Sequence, residues 1–221
     1  MEENNIINQY VQLYSDQIHT YKRTAAVTAR ICKQSLDEAH LRNWVSNRAK
    51  DPKSLENKLI QRQKHGHAYT TIEEIDKDIV DLAGVRIILY YAADRARVKS
   101  ILHDRFKVKE TRIFPDRANN KEAARGRKGY TAHHFRVWMR KDDMERHHLA
   151  TDGLIEIQVI SLFQHAWAEI EHDIKYKPTW QIVNKEQIVL GFLKQIVDLF
   201  DFSMTRLWRI QMKNRRLMPH N

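Results

Sequence analysis

The sequence predicts an α+β fold, a mixed β-sheet of about 4–5 strands flanked by helices, and three observations carry that prediction. Helical and strand-like stretches follow one another as helices, strand, helix, three strands and two helices, an order that is α+β or, loosely, α/β. Gly153 to Lys177 reads as a strand running straight into an amphipathic helix. One long apolar-striped helix, Lys185 to Met212, closes the chain.

Taken in order, Ile7, Tyr10, Val11, Leu13, Tyr14, Ile18 and Tyr21 recur at helical spacing, with some irregularity, over Ile6 to Cys32, and Ser35 to Val45 reads as a second helix. A turn from Asn47 through Pro52 then enters a helix capped by Asp51 or Ser54. Arg48, Lys50, Ser54 and Lys58 gather at that helix start. Free amide groups beside cations suit phosphate, although most such caps are structural. Glu73 to Val80 is a short helix that delivers Asp81 to a run of β-formers, Val85 to Tyr91. An amphipathic helix over Ala92 to Phe106 leads to a strand, Lys107 to Phe114. Pro115 to Lys128 is a basic loop carrying Arg117, Lys121, Arg125, Arg127 and Lys128, and Gly129-Tyr130 turns it into the strand His133 to Met139. Arg140 to Asp152 is a charged connection.

In the strand that follows, Leu154, Glu156, Gln158 and Ile160 share one face, while Ile155, Ile157, Val159 and Ser161 share the other. A wetted edge strand accounts for Glu156 alone; Gln158 two residues on makes a site lining a comparable alternative. Phe163, Ala166, Trp167, Ile170 and Ile174 mark a helix packed on a sheet. In the last helix Ile188, Phe192, Ile196, Leu199, Phe200, Met204 and Leu207 form the apolar face.

Composition narrows the function classes. The 221 residues are 42% hydrophobic, enough for a real core. No apolar run reaches the ~18 residues of a membrane span, and the start Met-Glu-Glu-Asn-Asn lacks a signal-peptide layout, so a cytoplasmic protein with no membrane partner is expected. Cys32 is the only cysteine, which excludes internal disulfides and cysteine-built zinc sites. A net charge of +10 favours polyanions such as nucleotides or RNA. The basic tail, Arg206 to Arg216, carries a single aromatic, Trp208, and reads as a solvated face.

Two carboxylates at strand ends, Asp81 and Glu156, with a basic loop between them match a magnesium-dependent phosphoryl or pyrophosphoryl transfer. Mg2+ takes one or two protein carboxylates and fills its other positions with water and phosphate oxygens, while Arg and Lys hold the remaining charge. The paired histidines give no metal site: His-Glu-x-x-His is missing, and His133 and His134 point to opposite faces of a strand. His172-Asp173 is similar to the metal pair of phosphohydrolases, but the upstream ligands are not recognisable. There is no Gly-rich dinucleotide fingerprint, Walker loop or nucleophile elbow.

Asp-Leu-Ala-Gly-Val-Arg at 81–86, Gly-Tyr-x-x-x-His at 129–134, Ile-Glu-Ile-Gln-Val at 155–159 and His-Ala-Trp-Ala-Glu-Ile-Glu-His-Asp at 165–173 together resemble the synthetase domain of the RelA/SpoT family, the (p)ppGpp synthetases. The resemblance implies a nucleotidyltransferase-like synthetase fold in one domain over residues 1–221. It divides that domain into a helical N-terminal region at 1–46, a catalytic core at 47–177 and a long helix with its tail at 178–221. The chain looks like a small stand-alone alarmone synthetase, transferring pyrophosphate from ATP to the 3′-hydroxyl of GDP or GTP. Carried over residue by residue, Arg48 and Arg86 would sandwich adenine, and Lys50, Ser54 and Lys58 would bind ATP phosphates. Asp81 would bind magnesium; Glu156 would bind magnesium or take the proton of the attacking hydroxyl. The acceptor would meet Tyr130, His134, Gln158, His165, Arg127 and Lys128. Thr131-Ala132, Ile160-Ser161 and His165 depart from the family's usual residues, so adenine nucleotides or the 3′ end of tRNA, as in toxin relatives, are alternative acceptors. A catalytically inactive nucleotide- or RNA-binding module is a third reading, against which both retained carboxylates argue. Small synthetases of this kind often form homo-oligomers.

Overall fold

The computed structural model describes residues 2–114, 132–149, 153–176 and 184–217. Two helices, α1 (Glu2–Asp16) and α2 (Ile18–Glu38), precede strand β1 (Asn43–Ala49). Helices α3 (Pro52–Lys64) and α4 (Ile72–Asp78) lead to β2 (Ala83–Leu89). A 3₁₀ turn at Ala92–Asp94, α5 (Arg95–Arg105), β3 (Lys107–Phe114), β4 (Ala132–Trp138) and α6 (Lys141–Arg146) follow. The described elements end with β5 (Ile155–Ser161), α7 (Leu162–Tyr176) and α8 (Asn184–Leu217).

The five strands among the described residues form one mixed sheet in the order β1-β2-β5-β4-β3, and of their pairings only β2–β5 is parallel. The predicted α+β class with four or five strands is therefore observed, with five. β5 lies at the centre of the sheet, which overturns the wetted-edge explanation of Glu156. One sheet face carries Val85, Ile87, Leu89, Ile155, Ile157, Val159, Phe135 and Val137 and packs on α2 and α5 through Ala25, Ala29, Cys32, Leu36, Val98 and Leu102. Cys32 is buried in that layer, and burial pushes its thiol up to about 12, as a packing residue requires. A second cluster ties α1 to α3 and α4 through Ile7, Tyr10, Leu55, Leu59 and Ile75.

Four expectations need correction. The helix expected over Ser35 to Val45 ends at Glu38. His40 adopts a left-handed φ of 54°, Leu41 N donates to Leu36 O and His40 N donates to Asp37 O. That is a Schellman closure without its usual glycine, and the chain leaves it as the strand β1. The sheet thus begins at Asn43, ahead of the expected boundary at residue 47. The single first helix is divided at Gln17, and the charged connection contains the short helix α6. The apolar stripe of α8, whose orientation the sequence does not give, faces outward: Ile188, Phe192 and Leu199 are 58%, 60% and 63% exposed. The inward side instead uses Leu190, Lys194, Asp198 and Asp201. Gln164 Nε2 donates to Asp198 Oδ1 at 2.9 Å and Ser161 Oγ donates to Asp201 Oδ2 at 2.7 Å. Among the described residues, no helix is long and apolar enough to cross a membrane.

Candidate functional site

The sheet face opposite the main core is polar, and strand register explains why. Gly84 pairs with Arg48 and Glu156, Arg86 with Ser46 and Gln158, and His134 with Gln158. Residues two apart on a strand share a face, so the side chains of these partners all rise on the side away from α2 and α5. At Gly84 a Cβ would come within 3.7 Å of Arg48 Cγ, so the Arg48 stem lies alongside this glycine. Ser46, Asn47, Arg48, Asp81, Gly84, Arg86, Glu156, Gln158 and Glu169 line one cleft.

Asp81 stands just before β2, where Lys50 Nζ and Lys58 Nζ each donate to one of its carboxylate oxygens at 2.8 Å. Lys50 is placed by its backbone: Lys50 N donates to Leu82 O at 2.9 Å and Tyr14 Oη donates to Lys50 O at 2.6 Å. Burial alone would raise the Asp81 pKa, but Lys58 and Lys50 hold it down at about 2. Burial likewise acts to raise Glu156, and His134 and Gln158 outweigh it, so its carboxyl stays below the usual range. His134 Nδ1 lies 3.2 Å from Glu156 Oε1, and Gln158 Nε2 donates to Glu156 Oε2 at 2.8 Å. The His134 ring lies tilted by 47° against Phe114, with ring centres 4.4 Å apart, and its buried Nε2 has no hydrogen-bond partner among the described residues.

Both carboxylates are thus ionised on one cleft and close enough for the charge of Asp81 to act on Glu156. Among the described residues no group of three His, Cys, Asp or Glu could hold a metal. The donor set fits a hard cation that takes most of its ligands from water and phosphate, as Mg2+ does, and does not fit zinc. In the same cleft, Arg86 Nε donates to Gln158 Oε1 at 3.4 Å, Arg86 Nη1 lies 3.3 Å from His165 Nδ1, and the same nitrogen forms an ion pair with Glu169.

Of the residues singled out in the sequence, Arg48, Asp81, Arg86, Glu156 and Gln158 meet in the cleft, and Lys50 and Lys58 join them through Asp81. Ser54 is exposed on the first turn of α3, where its backbone N–H donates to the Asp51 cap at 2.8 Å, and it does not line the cleft. His134 faces Glu156, and His165 faces Arg86. Tyr130, Arg127 and Lys128, with the rest of the basic loop, lie outside the described residues. Sequence reasoning did not single out Glu169, Ser46 or Asn47. A signal for Glu169 existed: it follows His165 by four residues, which places both on one helix face. Ser46 and Asn47 were hidden with the strand that carries them.

Comparison with known proteins adds to this geometry. A profile of the region found in RelA/SpoT proteins matches residues 47–181. GTP pyrophosphokinase YjbM of Bacillus subtilis (strain 168) is 27% identical over 168 residues, covering 74% of this chain and 71% of that protein. The crystal structure of small alarmone synthetase 1 from Bacillus subtilis bound to its product pppGpp is similar at a TM-score of 0.69 and 22% identity, covering 89% of this chain and 96% of the other. The same protein bound to AMPCPP gives a TM-score of 0.69 at 18% identity, covering 91% and 99%. At such identities these two structures speak for a shared fold.

Proposed function

Since the chain belongs to the RelA/SpoT family, we propose that it is a nucleotide pyrophosphokinase, moving the β,γ-pyrophosphate of ATP to the 3′-hydroxyl of GDP or GTP. The observation that supports this most is the meeting of Asp81 and Glu156 with Arg48 and Arg86 on one cleft of the sheet. YjbM is named a GTP pyrophosphokinase, and the similar synthetase binds pppGpp and AMPCPP, so donor and acceptor classes follow the same relatives.

In this reading the planar guanidinium groups of Arg48 and Arg86 take the adenine ring, a role for which Lys would be a poor substitute. Lys50 and Lys58 turn from Asp81 toward the phosphates. Asp81 and Glu156 are the residues that would hold Mg2+, which supplies charge neutralisation on the transferred group. The acceptor 3′-oxygen attacks the β-phosphorus and the bond from that phosphorus to the α,β-bridging oxygen breaks, releasing AMP. Glu156, ionised and fixed by His134 and Gln158, takes the hydroxyl proton. Gln158 keeps that carboxylate aimed, and His134 approaches the acceptor from the side of β4. The cytoplasm supplies these substrates, and the outward apolar stripe of α8 gives a homo-oligomer a surface. Light scattering of the purified chain measures its mass.

Incubating the protein with γ-labelled ATP, magnesium and equimolar GDP, GTP, ADP and tRNA, then separating the products, tests the reading. Label in guanosine 3′-pyrophosphates is expected. Label mainly in adenosine products or in tRNA would move the same chemistry to another acceptor, and no transfer to any acceptor would refute the proposal.

A further inference from the structure

Resting on the donor-pocket reading above, we propose that Glu169 is a positioning residue that holds Arg86 in the plane needed to stack on the donor base. Three acceptors from two elements surround the Arg86 guanidinium: Gln158 Oε1 on β5 at 3.4 Å from Nε, His165 Nδ1 on α7 at 3.3 Å from Nη1, and the Glu169 carboxylate on α7 at the same Nη1. A guanidinium carries its donors in one rigid plane, so bonds at Nε and Nη1 together set the orientation of its face. Of the three, only Glu169 is charged and strong enough to keep a long, rotamer-rich side chain in place.

The pairing also decides what Arg86 does in the cleft. Unpaired, a guanidinium beside a triphosphate is drawn to phosphate oxygens, for which it has a bidentate fork. With Glu169 offsetting its charge, Arg86 presents a flat face to the base, and phosphate recognition is left to Lys50 and Lys58. Glu169 lines the cleft, yet its side chain is 57% exposed, against 26% for Arg86. An ion pair so open to water contributes little to folding, so its loss should register in nucleotide binding rather than in stability.

The alternative is an ordinary surface ion pair that helps dock α7, and a double-mutant cycle separates the two. Binding of a non-hydrolysable ATP analogue is measured by calorimetry for wild type, Glu169→Gln, Arg86→Ala and the double variant, with GDP binding and Tm alongside. Glu169→Gln should weaken the analogue about three- to tenfold, raise KM for ATP with kcat within about twofold, and leave GDP binding and Tm nearly unchanged. In the Arg86→Ala background the same change should have no further effect. Unchanged analogue binding in Glu169→Gln, or an equal loss with and without Arg86, would overturn the positioning role while leaving the donor pocket standing. Failure of the wild type to bind the analogue, or indifference of binding to Arg86→Ala, would overturn the donor pocket and this inference with it.

Discussion

Asp81 is a carboxylate held by two ammonium groups, and Glu156 one held by an imidazole and an amide, so each owes its position to specific partners. Asp81→Asn and Glu156→Gln keep the shape and remove the charge. Each should lower pyrophosphate transfer at least ~10²- to 10³-fold, with near-wild-type circular dichroism. Turnover close to wild type in either variant would remove that residue from the mechanism. Glu156 and Gln158 were legible in the sequence because a period of two separates the polar face of a strand from its greasy one, whereas Asp81 was legible as a carboxylate at a strand end and Arg86 only through the family resemblance. Glu169 was not, because its spacing from His165 marks a shared helix face but carries no mark of Arg86, its partner on another element. Ser54 was legible as part of a helix start, and the structure gives the cap to Asp51 instead.

At the scale of elements, α3 and α4 are joined by Asp78, which is paired with Arg62 and accepts a hydrogen bond from Tyr69 Oη. Burial acts to raise the Asp78 pKa, but Tyr69 and Arg62 outweigh it and hold it below the usual carboxylate value. A carboxyl lowered by folding stabilises the protein fully above its unfolded pKa of about 4, and that contribution is lost as pH falls through the folded value. Asp78→Asn should therefore cost about 1 kcal/mol at pH 7, and urea titrations should show the gap to wild type closing below about pH 4. A gap independent of pH would assign the loss to packing. The misread element was β1, where the helix before it closes through His40 rather than a glycine, so the usual stop signal was missing. In α8 the stripe was legible in the sequence, whereas the side on which it lies was not. A stripe marks one side of a helix, but here Gln164 and Ser161 draw the polar side inward.

For the molecule as a whole, the α+β class could be read from the order of elements, whereas the order of strands in the sheet could not, because pairing between distant segments leaves no local trace. That order has a consequence for how the protein comes into being. Of the described strands β5 is the last in the sequence and the central one in the sheet, and Arg86 and Gln158 meet across 72 positions. Before β5 leaves the ribosome, β1–β2 and β3–β4 can pair only as two separate halves, each lacking the partner that β5 supplies in the folded sheet. Closing so long a loop is slow compared with forming local helices. Until it closes, Asp81 has no Glu156 beside it, so the nascent protein carries no half-active form. In refolding experiments, recovery of activity should therefore coincide with amide protection of β5 and lag behind that of α2. Activity returning before β5 is protected would mean that the two halves find each other by another route.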